Sequence, residues 1–281
     1  QVLGFGAFPN REGGYQVRHA LAFDASDSDY LSRTPASSGN RRKWTFSAWV
    51  KRGPITGGNS SGDGVHLFGA DRGSGFGDRI SFGNGDTDDR LNVQFNDTSD
   101  GRIQTKNFFR DPTAWTHFVV AVDTEQGTAA NRVKIYINGT LLTASDLDTA
   151  SYPAEDYDTM MNHTVAQHVG SRGGSASQFM DGYMAEVIMV DGQQYDSSSF
   201  GEVDPATGVW VPIDPSGLTF GSGNSFHLKF DDPNNLGRDA SVDSVTTTPS
   251  VTFEEQKVST ANLTAYTFSS CDLGTPASNR S

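Results

Sequence analysis

The chain carries a single cysteine, Cys271, in 281 residues. One thiol excludes an internal disulfide framework and any metal site built from several thiolates. Long apolar runs are also missing. Hydrophobic residues make up 35% of the chain, and no stretch reaches the ~20 residues a membrane-spanning helix needs or forms a secretory hydrophobic segment. Positive charge is scarce: 21 basic against 34 acidic residues leave a net charge of −13. That balance repels nucleic acid and anionic membrane, so neither nucleic-acid binding nor membrane insertion is expected. Segments with helical spacing are few and short. The chain starts at Gln1 rather than at methionine, which reads as a processed or partial product.

What is present is glycine, phenylalanine and alternation. With 31 Gly and 18 Phe, and turn clusters separating short apolar segments at intervals of roughly ten residues, the chain reads as all-β. The organising stretch is Trp115 to Gly139. Its second run alternates Val133, Ile135 and Ile137 with Arg132, Lys134, Tyr136 and Asn138, the period of a strand with one covered face. Its first run is apolar on both faces, with Phe118, Val120 and Val122 opposite Trp115, Val119 and Ala121, which places it deeper in the sheet. Asn138-Gly139 is a turn pair tolerant of positive φ and should fold Leu141-Leu142 back as a short strand.

Further strands are expected at His19 to Asp24, Tyr30 to Ser32, Trp44 to Arg52, Val65 to Ala70, Arg79 to Gly83, Arg90 to Asn96 and Val165 to Gly170. In Trp44 to Arg52, Trp44, Phe46, Ala48 and Val50 share one face, so this strand should be central. Leu91, Val93 and Phe95 should point inward from theirs. Asp146 to Met161 reads as an acidic surface loop, and Asp196 as the cap of a short turn. The organisation expected is an N-terminal arm (1–17) that lies extended or docks on a partner subunit, a β-sandwich (18–240), and a linker with the start of a second small β element (241–281).

Three motifs carry a family resemblance: WTFSAWVKR from Trp44, the Trp115 to Gly139 run, and FMDGYMAEVIMVDG from Phe179. Together they resemble the laminin-G-like, concanavalin A-like lectin/glucanase domains over about Arg18 to Asp231. That implies a jelly-roll β-sandwich of two antiparallel sheets. With TGVWVP (Thr207 to Pro212) and FHLKFDDPNNLGRDAS (Phe226 to Ser241), the chain also looks like the lectin-like domain of tailed-bacteriophage structural proteins. This narrower resemblance implies a virion protein. A tail fibre or other appendage is the first choice and a capsid decoration or head fibre the second, with other virion proteins and a host-surface glycan as partners. It also implies a homo-oligomer, trimeric as in phage fibres.

No catalysis is expected. Glucanases of the superfamily alternate carboxylates on one strand so that two face the cleft. The nearest string, Glu202-Val203-Asp204-Pro205-Ala206, has no third carboxylate, and Pro205 cannot donate to a central strand. His117 reads as a packing residue on an apolar strand. A secreted glycan hydrolase and a cell-surface adhesion module are the competing classes. Where the family carries a metal-binding aspartate, this chain has Ala185, with Glu186 beside it. Asp86 and Asp88, in NGDTDD, offer alternating oxygen ligands of the kind calcium takes. They lack the glycine and distal glutamate of a complete loop, so they read as a solvated acidic turn and no cofactor is expected. A sugar site needs an aromatic platform beside polar groups. The loop candidates are Phe76, Asn96, Asp100, Tyr152 and Tyr157.

Overall fold

The computed structural model describes residues 8–53, 64–73, 77–83, 89–96, 99–174, 177–221, 223–241, 254–256 and 264–267. In chain order the strands are β1 (His19–Phe23), β2 (Tyr30–Arg33), β3 (Lys43–Arg52), β4 (Val65–Asp71), β5 (Gly77–Phe82) and β6 (Arg90–Phe95). Next come β7 (Gly101–Phe108), β8 (Thr116–Asp123), β9 (Val133–Ile137), β10 (Thr140–Leu141), β11 (Leu147–Ser151) and β12 (Ala166–Val169). The last are β13 (Gly182–Asp191), β14 (Gly201–Val203), β15 (Trp210–Pro212), β16 (Phe226–Leu228), β17 (Glu254–Gln256) and β18 (Thr264–Thr267). One helical turn, Ala129–Arg132, leads into β9.

Two large sheets stack as a jelly-roll sandwich. The first runs β10-β9-β8-β3-β13-β1-β18, with β16 also paired to β13; the second runs β11-β7-β6-β5-β4-β12-β2-β17. Every pairing recorded between named strands is antiparallel. The two strands near the C-terminus do not pair with each other. β17 extends the second sheet at β2 and β18 extends the first at β1.

The expected alternation fills the space between the sheets. Trp44, Phe46, Ala48 and Val50 from β3 meet Ile80 and Phe82 from β5, Leu91, Val93 and Phe95 from β6, and Phe118, Val120 and Val122 from β8 in one core. Strand β3 is central, between β8 and β13. Asn138 and Gly139 both take positive φ, at 46° and 84°, and turn β9 into β10. That last strand, Thr140–Leu141, lies one residue ahead of the expected Leu141-Leu142, and Leu141 is exposed.

Two expectations need correction, and one strand was not expected. The acidic segment Asp146 to Met161 is not a surface loop throughout. Leu147–Ser151 forms edge strand β11, and Thr159, Met160 and Met161 are buried. Net polarity hid this, because an edge strand needs only one covered face and Leu147 supplies its apolar anchor. Strand β7 was unread because only Ile103 in GRIQTKNF is an apolar residue on its inward face.

The second correction concerns the first sheet and the arm. Strand β8 is apolar on both faces because the outer face of its sheet is covered. Phe8 from the arm wedges against Trp49 and Trp115, at ring-centroid distances of 5.1 and 4.9 Å. The described part of the arm, residues 8–17, thus packs on the chain's own sheet, where the sequence reading allowed for a partner's. Further along, Phe200 packs with Val119, Ala121, Tyr136, Ile188 and Val190, beneath the segment that carries the β14-β15 hairpin.

Candidate functional site

Strand β5 starts Gly77-Asp78-Arg79-Ile80-Ser81-Phe82, so Asp78 shares the inward parity of Ile80 and Phe82. Its carboxylate is buried. A bare charge there would be costly, and three donors answer it. The backbone amide of Asn96 donates to Oδ1 at 2.9 Å, that of Met160 donates to Oδ2, and the Tyr157 hydroxyl donates to Oδ1 at 3.3 Å. Burial outweighs these bonds and pushes the Asp78 carboxyl up to about 6. The knot ties the end of β6 and the 157–161 segment to β5.

Around it gather four residues singled out from the sequence. Asn96 sits at the end of β6 with φ 46°, and its Nδ2 donates to Asp100 Oδ2 at 2.6 Å. Tyr157 presents its ring edge-on to Phe95 at 5.9 Å, and burial raises its phenol above the ordinary tyrosine range. Tyr152 packs against the core beside Gly101, whose open Cα lies close to the 151–153 backbone. The neighbouring rim is charged: Arg42 pairs with Asp158 at 2.8 Å and with Asp156 at 3.1 Å, while Arg41 Nε donates to the Thr159 carbonyl at 2.7 Å.

One end of the sandwich therefore presents a half-buried tyrosine, an asparagine, an exposed aspartate and two arginines on a fixed backbone. Asp78, which organises them, was missed. Its signal was a charged residue on an inward register. Phe76, Asp86 and Asp88 lie outside the described residues. Among the described residues no group of three or more His, Cys, Asp or Glu side chains is placed to hold a metal ion.

The other polar groups considered for chemistry are committed to structure. Glu202 pairs with Arg11 at 2.5 Å. Asp204 accepts from Thr207 Oγ1 at 2.7 Å and from the Ala206 amide at 3.1 Å, which holds its carboxyl below the usual range. Glu186, on a bulge of β13 with φ 48°, turns to His227 at 2.5 Å and accepts from the Tyr15 hydroxyl at 3.2 Å.

His117 looks at first like a serine-activating base, since its Nε2 lies 2.8 Å from Ser47 Oγ. Its other nitrogen settles the matter. The Trp210 indole can only donate, and it reaches His117 Nδ1 at 3.0 Å. The neutral ring must then carry its proton on Nε2 and donate to Ser47, the reverse of what activation requires.

A two-sheet, lectin-like sandwich with a polar, aromatic-bearing end is the class these features define. The family of concanavalin A-like lectin/glucanases (Laminin_G_3) matches residues 24–193, more than half of the sequence, and the chain belongs to it.

Among solved structures, a heptameric pentraxin from Limulus polyphemus is similar at 14% identity and a TM-score of 0.40, over 64% of this chain and 78% of its own. Domains LG4-5 of the mouse laminin alpha1 chain align at 14% identity and 0.42, over 70% and 48%. The enzymatically active domain of tailspike protein 2 of bacteriophage CBA120 aligns at 9% identity and 0.39, over 77% and 32%. No curated protein matches the chain.

Proposed function

We propose that this chain is a non-enzymatic recognition module of a tailed-phage particle, a tail fibre or other appendage that offers its sandwich end to a host-surface glycan or to neighbouring virion proteins. The observation that carries the binding reading is that Asn96 and Tyr157 are both held on buried Asp78, with Asp100 tied to the Asn96 side chain. A pyranose presents a C–H face to an aromatic ring and hydroxyls to amide and carboxylate groups, and this end supplies all three. The phage assignment rests on the sequence motifs alone. The commitment of Glu202 and Asp204 to Arg11 and Thr207 supports binding without turnover. On this reading the chain is a homotrimer in the particle, and a capsid decoration or head fibre is the alternative location.

A glycan array combined with a polysaccharide-degradation assay tests the function. Binding without depolymerisation, weakened by Tyr157→Ala and Asp100→Ala, is the expected result. Depolymerisation would place the chain among secreted hydrolases and overturn the non-enzymatic reading. Immunogold labelling of intact particles tests the location.

A further inference from the structure

The opposite end of the sandwich holds a cleft that the preceding reading does not use. It encloses about 120 Å³ where β3, β5 and β8 meet the 108–116 loop. Its floor is the part-exposed Phe109 ring, backed by two buried ones: Phe109 lies edge-on to Phe118 at 5.0 Å, and Phe82, under the Arg52 guanidinium, lies 5.7 Å from Phe109 and 5.5 Å from Phe118. One wall is a fixed ionic network. Asp89 receives Arg52 at 3.1 Å and Arg110 at 2.8 Å, and the Arg110 guanidinium stacks 4.4 Å from the exposed Phe108 ring. Arg52 also donates to the Phe109 carbonyl at 3.1 Å.

Arg110 is held at Nε by Asp89 and on its face by Phe108, yet its side chain is 56% exposed. Beside it, the exposed Asp111 carboxylate is oriented by the Thr113 amide and hydroxyl, at 2.8 and 2.6 Å. Thr116 completes the rim.

We propose that this cleft is a second ligand site, taking a single neutral pyranose at the end of a glycan chain. The inference rests on the reading of the chain as a glycan-binding module. The part-exposed Phe109 ring suits the C–H face of a sugar. A rim that alternates a fixed donor, Arg110, with an oriented acceptor, Asp111, suits hydroxyls, each of which donates and accepts. An apolar side chain from a partner protein would use the floor and leave the rim unanswered. Arg52 and Arg110 share Asp89 behind them and have Asp111 beside them, so the charges balance, which favours a neutral ring over an acidic one. The cleft volume admits one ring and not a chain, so the free monosaccharide should bind at millimolar strength.

The test is a titration of the isotopically labelled full chain with glucose, galactose, mannose and N-acetylglucosamine, followed by amide shifts. At least one sugar should shift residues 108–118 saturably. Ala114→Trp fills the mouth from an exposed loop position and should abolish those shifts while leaving the rest of the spectrum unchanged. Arg110→Ala and Asp111→Asn should each weaken binding about fivefold to tenfold. Shifts confined to 96–100 and 152–158 would remove this site and leave the module reading intact. A silent 108–118 region with every sugar overturns the proposal, and so does self-association through this end that Ala114→Trp abolishes. The array, run on wild type and on Ala114→Trp, keeps failure of this site separate from failure of the module.

Discussion

The indole of Trp210 donates to Nδ1 of His117 at 3.0 Å, from a hairpin 93 positions further along the chain. That bond fixes the imidazole as a neutral donor to Ser47 inside a buried layer. Burial holds the ring's pKa down at about 3, from an ordinary value of 6.5. The unfolded chain therefore takes up a proton below about pH 6.5 that the folded chain refuses. Stability is complete above that value and drains away as pH falls towards 3, by roughly 5 kcal/mol at the limit. His117→Gln should flatten this part of the acid-denaturation curve, and a difference in unfolding free energy between wild type and His117→Gln that does not change from pH 6.5 to 4 would contradict the assignment.

Asp78 works in the opposite direction. Its folded carboxyl titrates near 6 against an unfolded value of 3.8. The folded state binds the extra proton between those values, so this group's contribution falls as pH rises from about 4 to 6, by about 3 kcal/mol. The difference in unfolding free energy between wild type and Asp78→Asn, followed across that interval, should change by this amount in favour of the variant. A pH-independent difference would mean that Asp78 stays ionised.

Gly139 pairs a φ of 84° with an ideal Cβ position 2.5 Å from the ring carbons of Trp210. Gly139→Ala should cost roughly 1–3 kcal/mol, through backbone strain and displacement of the indole. Urea denaturation measures the loss, and a weaker near-ultraviolet tryptophan signal should accompany it.

Phe8 is buried between Trp49 and Trp115. Truncation to alanine should lower stability by about 3 kcal/mol if the arm belongs to the cooperative unit. A variant with the wild-type midpoint but faster amide exchange over residues 8–17 would show that the arm undocks on its own.

Much of the candidate site was readable only as parts. Asn96, Asp100, Tyr152 and Tyr157 declared themselves as polar or aromatic loop residues, but nothing local said that they share one end. Asp78 lies 18 residues from Asn96 and 82 from Met160, and only the order of strands in the second sheet brings these together. The rings of Phe82, Phe109 and Phe118 come from three separate segments, and no local pattern joins them.

Alternation along β3, β6 and β9 and the Asn138-Gly139 turn determined by themselves that the chain is a layered β protein, because side-chain direction in a strand follows parity. The tertiary structure decided which faces stay dry. It laid Phe8 and Trp210 over the first sheet, buried Asp78 beneath two loops, and left Arg110 and Asp111 at an open mouth. Those outcomes depend on long-range packing and desolvation, which bring together segments that no local pattern connects.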